Sequence, residues 1–325
     1  MRTLFRAFLL SLSAVAVQPF GIAAAQTYPS KPIRLIVPFP PGGPADTLAR
    51  LVGDKLSASL KTQVIVENRA GAGGNIGMEL GAKAPPDGYT LILAPTGNLT
   101  VNPSLYRNVP YDVARDFVPV TALAAVPNIL VVHPSIPVKS VAELIAYAKA
   151  RPGQLNFSSP GPGSGAHLAG ELFKSSAGLD MVHVPFNGIA PAVTAVLGGQ
   201  VQLMFAGASS ALPHVKGNKM TALGVASLQR MAAAPELPTI AESGLPGFDV
   251  TSWYGIVVPA GTPMEIVNLL QAAIASALAQ ADAREKLAGL GAEPMGNTPA
   301  EFAAMIRSET AKWGKIVKDA NIRVE

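Results

Sequence analysis

The stretch IRLIVPFPPGGPADTLARLVGDKLSASLKTQVIV, residues 33–66, decides the fold class. Residues 33–37 are a short run rich in branched apolar side chains, which is typical of a buried strand. Apolar side chains recur at helical spacing in residues 46–60, and residues 64–66 are strand-like again. A glycine- and proline-rich turn at residues 38–43 separates the first strand from the helix. The stretch therefore predicts a strand–helix–strand unit of a parallel sheet.

The same alternation continues along the chain. A helix is predicted over residues 74–83 and a strand over residues 90–93, which completes a βαβαβ unit. Residues 128–225 repeat the alternation of short apolar runs with helical patterns. We therefore expect an α/β fold in which helices cover both faces of parallel sheets.

The last part of the chain is predicted to be mainly helical. After a strand-like run at residues 254–258, helices are predicted over residues 263–279 and 299–318. Because these helices have no sheet of their own, they must return to the first sheet. The sequence thus predicts two domains, residues 26–127 with 252–325 and residues 128–251, with crossings near 125–128 and 248–252.

Both of these C-terminal helices begin with the same four-residue pattern. The segments TPME (262–265) and TPAE (298–301) each place a threonine before a proline, with a glutamate two residues further on. This spacing predicts a threonine N-cap and a glutamate at N3 in both helices.

The first 25 residues have the pattern of a secretory signal peptide. Arg2 and Arg6 precede an apolar run, and three alanines at 23–25 offer a cleavage site. We expect the mature chain to start at Gln26. The sequence contains no cysteine, so it lacks the acyl-anchor site of a bacterial lipoprotein. The expected product is a periplasmic protein, free in solution and not lipid-anchored.

The charge pattern does not indicate a nucleic-acid partner. The chain has 25 basic and 21 acidic residues, a formal net charge of +4, and loss of the two arginines in residues 1–25 leaves +2. The basic residues are scattered, without the stripe of lysine, arginine and aromatic residues that a phosphate backbone requires. We therefore expect no nucleic-acid partner.

Two glycine-rich turns follow predicted strands and precede predicted helices. They are PFPPGGPAD at residues 38–46 and SSPGPGSGAH at residues 158–167. Glycine allows the backbone to approach a ligand, and the helix start presents free N–H groups that suit a carboxylate or phosphate. The alternative is that the glycines only form tight turns. The presence of one such turn in each predicted domain favours a binding site between the domains.

Other ligand classes fit the sequence poorly. Residues 161–166 match the dinucleotide pattern G-x-G-x-x-A, but Asp180 precedes the next strand, whereas a ribose-binding acid should stand at that strand's end. No P-loop motif occurs. The four histidines are dispersed and form no zinc-binding motif, so we expect neither a metal nor a cofactor.

Three residues in the turns have alternative roles. Ser164 and His167 are three residues apart, a spacing that allows a hydrolase nucleophile and base, although no nucleophile-elbow motif is present. Ser164 is predicted to be an N-cap or a ligand contact, and His167 a ligand contact or a packed residue. Asp46 either caps its own loop or pairs with a ligand ammonium, and the sequence leaves both open.

Seven segments together resemble one known family. They are YPSKPIRLIVPFPPGGPADTLAR, VENRAGAGGNIG, PPDGYTLIL, VNPSLY, HLAGELF, ALPHVKGNKMTALGV and WYGIVVPAGTP. In this order they resemble the Bug family, the periplasmic receptors of tripartite tricarboxylate transporters, from about Tyr28 to the C-terminus.

The resemblance implies a type II periplasmic-binding fold, in which two α/β domains joined by two crossovers close around a small carboxylate. It also implies that the two glycine-rich turns hold the carboxylate, with help from residues 95–98 and 187–190. The residues expected to contact the ligand are Phe39, Pro40, Gly42, Gly43, Ala45, Asp46, Thr96, Asn98, Ser158, Ser159, Gly163, Ser164, Gly165, Ala166, His167, Asn187, Gly188, Ala190 and Ala206.

This sequence departs from the family pattern at Ala206, where many relatives have an acidic residue. Alanine cannot pair with an ammonium, which favours a plain carboxylate over an amino acid as the ligand, although Asp46 keeps the amino acid open.

We expect a monomeric receptor, not an enzyme, that binds a di- or tricarboxylate, an aromatic acid or an amino acid. Its partners would be transporter subunits in the membrane or a sensor kinase. The alternatives are a secreted serine hydrolase and a sensor subunit without transport.

Overall fold

The computed structural model describes residues 28–319, and the predicted signal peptide lies outside them. The architecture is α/β, as predicted. The helices are α1 (Pro44–Leu60), α2 (Asn75–Ala82), α3 (Asn102–Leu105), α4 (Val113–Asp116), α5 (Val141–Lys149), α6 (Gly165–Ala177), α7 (Ile189–Leu197), α8 (Ala208–Lys216), α9 (Met264–Ala279), α10 (Ala281–Gly289) and α11 (Pro299–Asp319). The strands are β1 (Ile33–Val37), β2 (Val64–Asn68), β3 (Thr90–Pro95), β4 (Phe117–Val132), β5 (Leu155–Ser159), β6 (Met181–Pro185), β7 (Leu203–Gly207), β8 (Thr221–Val225), β9 (Thr251–Pro259) and β10 (Glu293–Pro294).

The strands form one curled sheet of mixed direction. Its order is β2, β1, β3, β9, β4, β7, β5, β6, and β8 and β10 also pair with β4. The pairs that β1 forms with β2 and β3, and β5 with β6 and β7, are parallel. The expectation of wholly parallel sheets is wrong at the centre, where β9 pairs antiparallel with both β3 and β4. The reason is that β4 and β9 carry the chain between the two halves in opposite directions.

Strand β4 belongs to both halves of the sheet. Its residues 117–127 pair with β9, and its residues 128–132 pair with β7. Below, the first lobe means strands β1–β3, β9 and β10 with the start of β4, and the second lobe means β5–β8 with the end of β4. The two crossings between lobes therefore lie side by side where Pro127 pairs with Thr251. This pairing supports the predicted domain boundaries, which remain a prediction.

Each lobe has apolar cores on both faces of its sheet. In the first lobe, α1 and α9 pack on one face and α2 with the start of α11 on the other. In the second lobe, α5 and α6 cover one face and α7 and α8 the other. Helix α11 joins both lobes, because Phe302 lies in a first-lobe core whereas Trp313 lies in a second-lobe core.

Within residues 28–319, no single helix has the length and hydropathy of a membrane span. Only α9 and α10 together pass that test, and they are bent by 74° relative to each other.

Candidate functional site

A cavity lies between the two lobes at the carboxyl ends of β1, β3, β5, β6 and β7. It measures about 930 Å³, counting the space at its open mouth. The carboxyl ends of sheet strands are where α/β proteins bind ligands. The cavity is lined by Phe39, Pro40, Pro41, Gly43, Pro44, Ala45, Pro95, Thr96, Gly97, Asn98, Val126, Asn128, Pro160, Gly163, Ser164, Gly165, Ala166, Asn187, Gly188, Ile189, Ala190, Pro191, Phe205, Gly207, Ser252, Trp253 and Tyr254.

The first glycine loop, residues 38–43, joins β1 to α1 and forms part of the first-lobe wall. Gly42 has φ of +89°, which favours glycine. Gly43 is the N-cap of α1 and offers no side chain, and Pro44 follows at the start of the helix. The first-turn amides of α1, such as that of Ala45, therefore have no acceptor within the helix. They are available to an anion in the cavity.

The carboxylate of Asp46 is hydrogen-bonded to its own loop, its own helix and the neighbouring strand β2. Its carboxylate accepts hydrogen bonds from the Gly42 N–H (3.1 Å), the Arg50 guanidinium (3.0 Å to each oxygen) and Asn68 Nδ2 (3.0 Å). Burial would raise the pKa of this carboxyl, but the bonds from Arg50, Gly42 and Asn68 and the charge of Arg50 lower it below its usual range. Asp46 is 5 % exposed, so its carboxylate has little free surface for a ligand ammonium.

The second glycine loop, residues 160–164, joins β5 to α6 on the opposite wall. Gly161 and Gly163 have φ of +136° and +77°. Ser164 is the N-cap of α6, as predicted, since its Oγ accepts from the His167 N–H at 3.3 Å. The same hydroxyl donates to the Gly161 carbonyl at 2.6 Å. The serine therefore shapes the loop and the helix start, and the next two residues, Gly165 and Ala166, line the cavity.

A buried histidine, His167, and a half-buried one, His183, pack behind this loop. His167 Nδ1 accepts from the Gly163 N–H at 3.1 Å, and its ring packs against that of His183, with ring centres 4.1 Å apart and the planes tilted by 31°. Burial, with the nearby charges of His183 and Lys174, lowers the pKa of His167 to about 3. Burial and Lys174 lower the pKa of His183 to about 4. Both rings are therefore neutral at physiological pH.

Residues 186–188 bring a third helix start to the cavity. Gly188 has φ of +107° and donates its N–H to the Pro160 carbonyl at 3.1 Å. Helix α7 begins directly after it, and Ile189, Ala190 and Pro191 line the cavity. The N-termini of α1, α6 and α7 thus meet at one cavity, where their dipoles favour a negative charge.

The two lobes touch across the mouth of the cavity. Tyr106 donates to the Pro162 carbonyl at 3.4 Å. A Cβ built on Gly188 would lie 3.3 Å from Pro40 Cγ, and one built on Gly97 would overlap the Gly163 carbonyl oxygen. The structure therefore has the lobes in contact on both sides of the cavity.

The predicted site residues fall into two groups. Six do not line the cavity, namely Gly42, which is exposed to solvent, and five buried residues, Asp46, Ser158, Ser159, His167 and Ala206. Ser158 Oγ donates to the Ala192 carbonyl at 3.1 Å, Ser159 Oγ lies 2.7 Å from His183 Nε2, and Ala206 packs in a second-lobe core. The other thirteen line it, namely Phe39, Pro40, Gly43, Ala45, Thr96, Asn98, Gly163, Ser164, Gly165, Ala166, Asn187, Gly188 and Ala190. Their ligand contacts remain a prediction.

Sequence reasoning missed the lining residues on the crossing strands. Val126 and Asn128 come from β4, and Ser252, Trp253 and Tyr254 come from β9. Asn128 Nδ2 donates to Ser252 Oγ at 3.0 Å across the two crossings. The signal that could have found them is the predicted crossing near residues 125–128 and 248–252, since a cavity between two lobes is lined by the segments that join them.

Comparison with known proteins gives one consistent result. Residues 48–322 match the family described as "Tripartite tricarboxylate transporter family receptor". Protein BugT of Bordetella pertussis is 39 % identical over 321 residues, which cover 98 % of each chain.

Two solved structures are similar to this chain over their whole length. "R. palustris Rpa4515 with adipate" has a TM-score of 0.88 and 38 % identity, and covers 91 % of this chain and 100 % of that one. "MatC (Rpa3494) from Rhodopseudomonas palustris with bound malate" has a TM-score of 0.84 and 34 % identity, with 89 % and 100 % covered.

Proposed function

This chain belongs to the tripartite tricarboxylate transporter receptor family, and on that premise we propose that it captures a small carboxylate between its lobes in the periplasm. It then delivers this solute to a membrane transporter. The family and the structural neighbours are of the solute-binding type. Of the two similar solved structures, one is described with adipate and the other with bound malate, which supports a carboxylate as the ligand of this chain.

The observation that carries the proposal is the meeting of three helix N-termini at a cavity without charged lining side chains. Helices α1, α6 and α7 begin at the cavity, and the part of its lining that residues 28–319 supply contains no lysine, arginine, histidine, aspartate or glutamate. A carboxylate would therefore be held by backbone amides and helix dipoles. Because α1 lies on the first lobe and α6 and α7 on the second, one ligand can contact both lobes and favour the closed form.

The arrangement of His167 and His183 fits a binding site and not a hydrolase. The Ser164 hydroxyl donates to a carbonyl and accepts from a backbone N–H, and His167 Nδ1 accepts from Gly163. His183 does lie beside Ser159, but the Ser159 side chain is fully buried and is not part of the cavity lining. Neither serine is therefore arranged as a nucleophile with a base at the cavity, as a hydrolase would require.

A thermal-shift screen of di- and tricarboxylates, aromatic acids and amino acids tests this function. At one hundred times its Kd, a ligand should add about 2.7 kcal/mol to the free energy of unfolding. We expect one or a few carboxylates to raise Tm and to be recovered chemically unchanged after denaturation. Recovery of an altered product would support the hydrolase, and the absence of any shift would contradict the receptor.

The transporter and the location need separate experiments. Periplasmic material should begin at Gln26 when its N-terminus is sequenced. Mutant cells that lack the receptor should lose uptake of the carboxylate that the screen identifies, whereas retained uptake with loss of a transcriptional response would favour the sensor.

A further inference from the structure

The cavity combines three positive helix ends with the absence of any lining acid, and this restricts the ligand further. An ammonium can only donate hydrogen bonds and carries a positive charge. The dipoles of α1, α6 and α7 would repel that charge, and burying it without a partner is costly. Asp46, the acid of the first helix turn, already accepts bonds from Gly42, Arg50 and Asn68.

The hydroxyl of Tyr254 is a lining side-chain group that is free to bind a second part of the ligand. Tyr254 lies on β9, lines the cavity and packs beside the first-lobe core that contains Ala45 and Val126. Among residues 28–319 its hydroxyl has no hydrogen-bond partner. In contrast, the Thr96 hydroxyl donates to the Trp253 carbonyl (2.9 Å) and accepts from the Trp253 N–H (2.7 Å), so its proton is not free for a ligand.

The protonation state of this tyrosine suits a donor. Burial raises the pKa of Tyr254 to about 12. The phenol therefore keeps its proton across the physiological range and presents it to an acceptor. Ser252, two residues earlier on the same strand, accepts from Asn128 Nδ2 and keeps its own proton for an acceptor. The strand β9 thus adds hydrogen-bond donors to a cavity whose helix ends are also donors.

We propose that this receptor selects a carboxylate that carries a second hydrogen-bond acceptor and no ammonium group, and that the Tyr254 hydroxyl binds this second acceptor. The inference rests on the proposed function. A second carboxylate, a hydroxyl or a carbonyl meets the requirement, whereas the 2-amino analogue of the same acid does not.

Isothermal titration calorimetry on the mature protein tests the ligand class with matched pairs. The probes are succinate against aspartate, adipate against 2-aminoadipate, and the acid with the largest thermal shift against its 2-amino analogue. We expect the acid without an ammonium to bind at least tenfold more tightly within each pair that binds. Equal affinity within a pair would overturn the inference while leaving the receptor function intact. Binding of no carboxylate at all would contradict the proposed function and this inference with it.

The variant Tyr254→Phe tests the role of the hydroxyl. The loss of one neutral hydrogen bond should weaken binding of the tightest acid with a second acceptor by roughly three- to tenfold. Binding of its analogue without the second acceptor, such as hexanoate in place of adipate, should not change. Tyr147→Phe on α5, outside the cavity lining, is the matched control and should bind like the unmodified protein. If Tyr254→Phe weakens both analogues equally, or neither of them, Tyr254 does not bind the second acceptor.

Discussion

Each glycine loop is held by a side chain of the helix that follows it, a carboxylate in the first loop and a neutral histidine in the second, but the start of α6 also packs closely against a crossing strand. In the first loop, Asp46 of α1 binds the Gly42 N–H, and a Cβ built on Gly43 would lie 3.4 Å from Ile189 Cγ2, an ordinary contact. In the second loop, His167 binds the Gly163 N–H, and a Cβ built on Gly165, the first residue of α6, would overlap Ser252 Oγ on β9. A side chain added at position 43 should therefore disturb the fold less than one added at position 165.

The largest difference is expected between Gly165→Val and Gly43→Val. Valine at 165 would press on Ser252 and should lower the free energy of unfolding by about 1–3 kcal/mol, as overpacking does. Gly43 has φ of −92° and ψ of 175°, which valine tolerates, so its unfolding free energy should change by about 0.5 kcal/mol or less. Binding of the carboxylate should still fall at least tenfold, because the branched side chain covers the amides of α1.

Urea denaturation and calorimetry of the two variants measure these effects. Equal loss of stability in both variants, or full binding by Gly43→Val, would contradict the difference between the loops.

Substitution of His167, which packs behind the second loop, should have the next largest effect on the free energy of unfolding. His167→Leu removes the acceptor of the Gly163 N–H, and a buried unpaired donor costs about 1–3 kcal/mol. His167→Asn can keep an acceptor near the position of Nδ1 and should lose less. If the leucine and asparagine variants unfold alike, the Gly163 bond does not hold the loop.

The same histidine predicts a pH dependence of stability. Burial holds the pKa of folded His167 at about 3 and that of His183 at about 4, below their unfolded value near 6.5. Between these values the unfolded chain binds more protons, so the free energy of unfolding should fall as the pH is lowered from 6.5 towards 4. The fall should be less steep in His167→Asn, and an unchanged slope would show that this ring does not cause it.

Asp46→Asn tests the corresponding anchor of the first loop. The substitution weakens the bonds from Arg50 and Gly42, and we expect a loss of about 1–2 kcal/mol at neutral pH. Since the pKa of folded Asp46 is lowered, this contribution is present above the usual carboxyl pKa and disappears as the pH falls below it. Carboxylate affinity should not decrease. A complete loss of binding, without unfolding, would instead make Asp46 a ligand residue.

The smallest effect is expected from the N-cap of the second loop. Ser164→Ala should destabilise the protein by about 1 kcal/mol, the usual cost of losing a cap. Ser140→Ala is the matched control, because Ser140 caps α5 away from the cavity by accepting from the Glu143 N–H at 3.2 Å. Both variants should still bind the carboxylate. Loss of carboxylate binding in Ser164→Ala, with binding retained in Ser140→Ala, would instead support the serine hydrolase.

Local sequence patterns predicted elements well where the determining contacts are close in the chain. Ser164 caps α6, and Thr298 with Glu301 forms the predicted capping box, with 3.3 Å from the Glu301 N–H to the Thr298 Oγ. The same pattern was wrong at Thr262, whose hydroxyl donates to the Pro259 carbonyl at 2.7 Å instead. The spacing is identical, so only the turn that follows β9 separates the two outcomes.

The site was predictable only in part, because its walls come from distant segments. Two partners of Asp46, Gly42 and Arg50, are four residues away in the chain, but its third partner, Asn68, lies on the next strand and no local pattern could reveal it. Asn128 and Ser252 are 124 residues apart and meet only when β4 and β9 pair. The glycine loops could be recognised because each lies between a strand and a helix along the chain.

Hydrogen exchange of individual backbone amides tests the central claim most directly. The account predicts that the tightest carboxylate from the screen slows exchange at Ala45 on α1 and at Gly165 and Ala166 on α6 together, since one anion contacts both lobes. Protection in one lobe alone, with exchange in the other unchanged at saturating ligand, would contradict binding between the lobes.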